Sequence, residues 1–454
     1  MNSCYNKQVS DRKGYRYRDG SIRIIITFME KDRILIKNGH IISPADGLDR
    51  TGDILIEDGL IAGIGPAAET NGFEGRLIDA GGCYVSPGFV DVHTHFRDPG
   101  QTEKEDIHSG SLAAAAGGYT TVVCMANTIP AVDSPETLGL IKEKAEKEAI
   151  HVLQCACVTK ARKGYTLTDF EALLKAGAAG FTDDGSPLEN PALAEEAMKK
   201  AAALGAVLSF HEEDPRYIGT AGINEGAVSA EMRLKGADRL AEIRMVERDL
   251  SLAMKTGCRI DIQHVSAAET VELIRRAKNK DEKGLIHAEV TPNHFSLTEE
   301  AVRKYGSLAK INPPLRTEED RAALIEGLKD GTIDLIATDH APHTLSDKNK
   351  DFPDCMSGIT GLETAFSLGL HNLVNPGHLS LSALITLMSV NPAGLYSLDA
   401  GYIRIGHPAD IVIFTRDEDT LYERFHGKSD NTPFKGQRLA GKIIHTISGG
   451  EVVY

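Results

Sequence analysis

Residues 84–96 read YVSPGFVDVHTHF, a run rich in β-branched and aromatic residues, as strands are. It closes on two histidines, His93 and His95, spaced so that an extended chain points both imidazoles the same way. Seven more runs of this kind follow: TTVVCMAN (120–127), HVLQCACVT (151–159), AAGFTDD (178–184), AVLSFHEE (206–213), RIDIQHVS (259–266), HAEVTPNHF (287–295) and IDLIATDHAPH (333–343). Between them lie stretches such as GSLAAAAGG, PETLGLIKEKAEKEA, LAEEAMKKAAALG and AETVELIRRAKN. Their Ala, Leu, Lys and Glu content and three-to-four spacing suit amphipathic helices. Strands alternating with helices imply βαβ units and parallel sheet, so eight units predict an α/β chain closed into a (β/α)8 TIM barrel over residues 83–400. An open doubly wound sheet is the alternative, but no Gly-rich phosphate turn follows the first strand to support it.

The flanks differ in kind. Residues 30–82 hold RILIKNGHII, GDILIEDGLIAGIG and RLIDAGG, and residues 401–454 hold PADIVIFT and KIIHTISGGEVVY. These are strand runs punctuated by NG, DG and GG turn signals, with no long helix. Neither flank is long enough to close a core alone, which predicts one small β-sandwich built jointly from both ends, with the barrel inserted between them. Residues 1–29 form an extension of different composition, expected to be disordered or not native, with Met29 as the alternative start.

Composition bounds the function. At 454 residues, 41% hydrophobic and 25% charged, the chain can bury a large enzyme core. A net charge of -15 speaks against a nucleic-acid partner and against anionic membranes. No apolar run approaches the roughly 20 residues of a membrane span. Seven scattered cysteines suit a reducing, cytoplasmic compartment. Cys155 and Cys157 read as buried core thiols, with a metal role as the alternative.

The chemistry gathers at the strand ends. Catalytic residues of such barrels come from the C-terminal ends of several strands. Here the first strand ends in His93 and His95, the fourth in Asp183 and Asp184, the fifth in His211, the sixth in His264 and the eighth in Asp339. Four imidazoles and two carboxylates at one mouth, Asp339 with one of the Asp183–Asp184 pair, suit borderline cations such as zinc. Six ligands exceed the needs of one tetrahedral ion, so a carboxylate-bridged pair is expected. A structural zinc site would instead use cysteines and fill every position.

The order H-x-H, FTDDG, two single histidines and TDHAPH resembles the amidohydrolase superfamily. ANT (126–128), INPPLR (311–316) and GLETAF (361–366) extend the likeness to the bacterial type I dihydroorotases, over residues 30–454. The resemblance implies reversible cyclisation of N-carbamoyl-L-aspartate to (S)-dihydroorotate plus water in pyrimidine biosynthesis. It implies two Zn2+ per subunit: His93, His95 and Asp339 on the first, His211 and His264 on the second, with Asp184 and a hydroxide bridging them. Asp183 stays open as the bridge. Many relatives bridge with a carbamylated lysine late in the fourth strand, but no lysine stands between Gly177 and Asn190.

The resemblance also implies that Asp339 moves the proton, and that substrate meets His95, Arg97, Asn127, Asn312, His343, Ser357 and Gly358. Arg97 is the discriminating residue, since a ring carboxylate calls for a permanently charged planar fork. An allantoinase or hydantoinase, acting on rings without that carboxylate, is the first alternative. A non-catalytic partner of aspartate transcarbamoylase is the second, disfavoured because all six ligands are present. A homo-oligomer and a transcarbamoylase partner are compatible with the family. Residues 343–358 are long and polar, as a loop over the site would be. In TPNHF, Asn293 stands where the family pattern has a histidine, with His294 beside it, so a change behind the ligands is expected there.

Overall fold

The computed structural model describes residues 33–65 and 73–454; the expectation for residues 1–29 lies outside them. Gly88 is where the chain changes sheets. The run read as one strand is two: β5 (Tyr84–Pro87) and β6 (Phe89–Thr94), and only the second belongs to the barrel. No side chain fits at the junction, because a Cβ on Gly88 would lie 2.2 Å from Thr120 Oγ1 and 2.8 Å from Thr120 Cβ.

β6 pairs in parallel with β7 (Tyr119–Cys124), and β7 with β8 (His151–Gln154). A second parallel sheet runs β9 (Phe181–Thr182), β10 (Val207–Phe210), β11 (Arg259–Ile262), β12 (Ile286–Val290) and β13 (Leu335–Ile336). Single bridges close the ring, Ala156 to Phe181 on one side and Thr94 to His340 on the other. The eight predicted strands therefore form one closed (β/α)8 barrel. β6 and β7 are buried along their whole length, as expected of parallel strands covered by helices outside and packed side chains within. Val90, Val92, Val123, Met125, Val207, Leu335 and Ala337 fill the interior.

The helices carry their own boundary signals. Asp106 accepts from the Ser109 amide at 2.8 Å to start Ile107–Ala116, and Pro191–Leu204 opens on the Asn190 cap and ends at Gly205 in the left-handed region. The seventh run departs from expectation. Thr291 caps a short helix, Pro292–Ser296, so TPNHF turns away from the strand direction after Val290. Cys155 and Cys157 are both fully buried, Cys155 beside the Tyr396 hydroxyl at 3.7 Å and Cys157 donating to the Ala126 carbonyl at 3.6 Å. Burial pushes the Cys155 thiol up to about 12, so both are inert core groups.

The second sheet draws on both ends of the chain. Its strands are β1 (Arg33–Ser43), β2 (Leu48–Glu57), β3 (Leu60–Gly65), β4 (Arg76–Asp79), β5, β14 (Ile411–Leu421), β15 (Arg438–Ser448) and β16 (Glu451–Val452). The hydrogen-bonded path is β16-β15-β14-β5-β1-β2-β3, with β4 on β1. The two chain ends meet at β5 and β14, antiparallel from Tyr84 opposite Phe414 to Pro87 opposite Ile411. Ile36, Ile41, Ile54, Ile56 and Val85 share one apolar cluster with Ile411, Ile413 and Ile447. The β-rich part predicted from both ends is thus one continuous sheet among the described residues, and it keeps β5, which the sequence reading gave to the barrel. Between β14 and β15 the chain leaves this sheet for residues 422–437, and Tyr422 and Phe434 bury themselves against the barrel core. No helix of the described residues is long and apolar enough to cross a membrane.

Candidate metal centre

Two groups of donors face each other across the barrel mouth, and one residue belongs to both. His93, His95 and Asp184 offer ligand atoms within 4.8 Å of one another, and so do Asp184, His211 and His264. All five side chains are buried. Asp339 joins the first group, its Oδ1 lying 2.8 Å from His95 Nε2 and 3.4 Å from His93 Nε2. Asp184 Oδ1 is 3.4 Å from His93 Nε2 and 3.5 Å from His211 Nδ1. Asp183 lies outside both groups. It accepts from the Thr159 amide at 3.1 Å and from the Thr159 hydroxyl, tying β9 to the chain beyond β8.

The arrangement fits cations. His93 Nδ1 is hydrogen-bonded to Glu289 of β12, which leaves the buried Nε2 with no hydrogen-bond partner. A carboxylate behind an imidazole fixes the tautomer and bares the other nitrogen, as behind metal-binding histidines generally. His211 repeats the device, with Nε2 on Glu213 at 2.9 Å. Its Nδ1 then lies 3.0 Å from His264 Nε2. Electrostatics agree. Burial opposes a charged His93, yet Glu289, Asp339 and Asp184 hold its pKa well above the usual value. Burial likewise opposes the Asp184 carboxylate, but His93 and His211 hold its pKa well below normal. Nitrogen and carboxylate donors without thiolate suit zinc and its neighbours.

Backbone strain marks the same place. Arg97, His264 and Asp339 have φ of 58°, 34° and 47°, each about 1–3 kcal/mol less favourable than an ordinary conformation. Asp91 braces the first strand, accepting from the His93 amide at 3.0 Å and the Thr338 amide at 3.2 Å.

The residues expected around substrate fall into two sets. Asn127 bridges the donors themselves, paired with His95 Nδ1 at 2.9 Å and donating to Asp184 Oδ2 at 3.1 Å. Arg97 donates to the Pro342 carbonyl at 3.4 Å. Burial lowers its guanidinium to about 10, with Asp339 and Asp184 opposing, so the charge persists at neutral pH. His343 is buried, and burial together with Arg97 and Lys104 lowers its pKa to about 2. Lys104 donates to its Nδ1 at 3.4 Å, leaving Nε2–H as the free donor. Asn312 Oδ1 is buried without a partner. A Cβ on Gly222 would stand 3.0 Å from Ser357 Oγ and 3.2 Å from Asn312 Oδ1, which places these residues together. Gly358, with φ of 142°, admits no side chain beside Ala341 and His343.

Glu289 and Glu213 were not singled out in the sequence, although each is an acid on or just beyond a barrel strand. His294 proves to be a brace. It is buried, bonded to the Thr291 hydroxyl at 2.8 Å and to the Pro313 carbonyl at 3.0 Å, beside Asn312.

The Amidohydrolase family model matches residues 84–453. The chain belongs to the amidohydrolase family. Among curated relatives of this amidohydrolase, the dihydroorotase of Clostridioides difficile (strain 630) is 52% identical over 421 residues, 93% of this chain and 99% of that one. The dihydroorotase of Lactococcus lactis subsp. lactis (strain IL1403) is 49% identical over 422 residues, again 93% and 99%. Solved structures similar to this amidohydrolase include the L-hydantoinase (dihydropyrimidinase) of Arthrobacter aurescens, with a TM-score of 0.79 and 28% identity over 93% of this chain and 96% of that one. A D-hydantoinase has a TM-score of 0.80 and 26% identity, covering 92% and 95%.

Proposed function

We propose that this amidohydrolase is a dihydroorotase, converting N-carbamoyl-L-aspartate and (S)-dihydroorotate into one another in pyrimidine biosynthesis, with the reaction carried at the His–Asp mouth. The observation that carries this reading over a hydantoinase is Arg97: a charged guanidinium at the mouth, against the donor cluster, matches a ring carboxylate. Near-half identity to dihydroorotases along almost the whole chain supports it.

Two zinc ions per subunit are proposed, the first on His93, His95 and Asp339, the second on His211 and His264, with Asp184 between them. Bound there, they would supply Lewis acidity, making water nucleophilic at neutral pH and polarising the ring carbonyl. The chain does the rest. Arg97, Asn127 and the His343 Nε2–H are proposed to hold the ring carboxylate. Asn312, Ser357 and Gly358 would line the ring. In hydrolysis Asp339 takes the proton of the attacking water, the amide C–N bond breaks, and the same proton passes to the departing nitrogen. In cyclisation Asp339 takes a proton from the carbamoyl nitrogen as that nitrogen attacks the carbon of the protonated carboxyl group, and it passes that proton to the departing hydroxyl, which leaves as water.

Purified protein assayed side by side with dihydroorotate, carbamoyl-aspartate, hydantoin and allantoin tests the assignment. Dihydroorotate and carbamoyl-aspartate should be the preferred pair. Arg97→Lys keeps the charge but loses the fork, and should raise KM for dihydroorotate about tenfold or more. A variant that still handles dihydroorotate normally would favour a hydantoinase.

A further inference from the structure

The segment between β14 and β15 does more than join two strands of the outer sheet. Its residues 428–431 reach the barrel mouth and tie three of its loops together. The Lys428 amide donates to Glu105 Oε1 at 3.1 Å, and the Ser429 hydroxyl donates to the Lys104 carbonyl at 2.7 Å. Asn431, only 4% exposed, makes the densest set of bonds. Its Oδ1 accepts from the His343 amide at 2.9 Å, and its Nδ2 donates to the Ala341 carbonyl at 3.1 Å and the Gly358 carbonyl at 3.0 Å. Its own carbonyl accepts from the Thr360 amide at 3.2 Å. One side-chain amide thus uses its acceptor and both donor hydrogens on the two stretches of backbone that bear His343 and Gly358.

Gly358 has no room for a side chain that could anchor it, and glycine adopts its φ of 142° freely, so the residue itself does not fix the backbone there. Lys348, buried itself, supplies a second hold by donating to the Gly358 carbonyl at 3.0 Å and the Met356 carbonyl at 2.8 Å. The Gly358 amide also donates to the Lys310 carbonyl at 2.8 Å, and the Ala341 amide to the Ile359 carbonyl at 3.0 Å; Asn431 adds a side-chain hold that joins the Gly358 carbonyl to the His343 amide. Its segment is itself pinned by the buried Tyr422 and Phe434.

We infer that Asn431 is a positioning residue for the reaction: it sets the His343 backbone and the Gly358 carbonyl so that the substrate pocket is formed before substrate arrives. The inference rests on the substrate roles proposed above for His343 and Gly358.

Two variants separate the halves of the contact. Asn431→Asp keeps an acceptor for the His343 amide and loses both donors. Asn431→Ala loses everything. Each is measured for melting temperature, metal content, kcat and KM with dihydroorotate, and hydrogen–deuterium exchange read by mass spectrometry. Exchange should quicken in peptides covering 341–360 and stay unchanged in β10 and β11. KM should rise about tenfold for the aspartate variant and further for alanine, with kcat per metal-loaded site falling much less. Exchange in 341–360 equal to that of the parent, or raised evenly over the barrel, overturns the inference. So does a loss of kcat with KM unchanged, the mark of a merely structural residue. His343→Ala run in parallel distinguishes the two failures. If it raises KM while both Asn431 variants leave KM alone, the inference falls and the pocket reading stands; if it leaves KM unchanged, the pocket reading fails at His343 and the inference falls with it. Should the aspartate variant not fold, Asn431→Ser takes its place in the same comparison.

Discussion

Asp339 sits in left-handed backbone with one carboxylate oxygen 2.8 Å from His95 Nε2, and the proton transfer proposed for it falls to the second oxygen. Asp339→Asn preserves the shape and removes the base. Turnover should fall about 10²–10⁴-fold, the usual share of a positioned acid–base group, with the melting temperature little changed. Near-normal kcat in stopped or continuous assays rules the role out. Glu289 acts one step further back, through His93. Glu289→Gln keeps the volume and loses the charge that orients the imidazole, and should weaken metal retention about 10–100-fold. Competition with a chelator measures this directly, and retention equal to the parent refutes it. The two residues were unequally visible in the sequence. Asp339 stood at a strand end in a motif, whereas Glu289 lies inside HAEV, where only its partner across the barrel reveals what it does. Asp183 and Asp184 show a similar limit: β9 has two residues, too short a strand for alternation to say which aspartate faces inward.

At the scale of elements, the crossing at Gly88 is a joint with no room for a side chain. Gly88→Ala must push Thr120 aside or shift β5 against β6, which should cost about 1–3 kcal/mol, as overpacking of a buried site does. A calorimetric melt that matches the parent would show the joint to be looser than this. The eight barrel strands were legible because their composition alternates with helix and their ends collect histidine and aspartate. The division of residues 84–96 between two sheets was not, since a strand that changes partners keeps its composition. The helix after Val290 was hidden for a related reason: Thr291 and Pro292 are cap signals, but they sit inside an apolar run that reads as strand. Residues 422–437 were assigned to the outer sheet by position along the chain, and nothing in their composition announced that Asn431 would reach the barrel mouth.

At the scale of the whole molecule, barrel and outer sheet are joined by polar contacts as well as by the β5–β6 crossing. His151 at the start of β8 bonds to Asp410 just before β14, at 3.1 Å and 3.2 Å, and Asp410 also accepts from the Gly449 amide at 2.8 Å. Its hydrogen bond to the Asp410 carboxylate raises the His151 pKa above its usual value, against burial. The folded imidazole therefore keeps its proton to higher pH than the unfolded one, so its contribution is full below the unfolded value and fades as pH rises through the folded one. The side chain is half-exposed, and screening limits the effect to about 0–1 kcal/mol. Melting temperatures of the parent minus those of His151→Gln should be largest in mildly acidic buffer and shrink toward alkaline pH; a difference that grows with pH contradicts the assignment. The meeting of β5 with β14 has a further consequence, for the chain as it is made. β5 leaves the ribosome roughly three hundred residues before β14, its partner on the side away from β1, a delay on the order of tens of seconds at 5–20 residues per second. Throughout that interval one edge of the early sheet stays open, in a nascent protein whose barrel is still being synthesised. The last fifty or so residues act as a seal applied once the enzyme around them already exists.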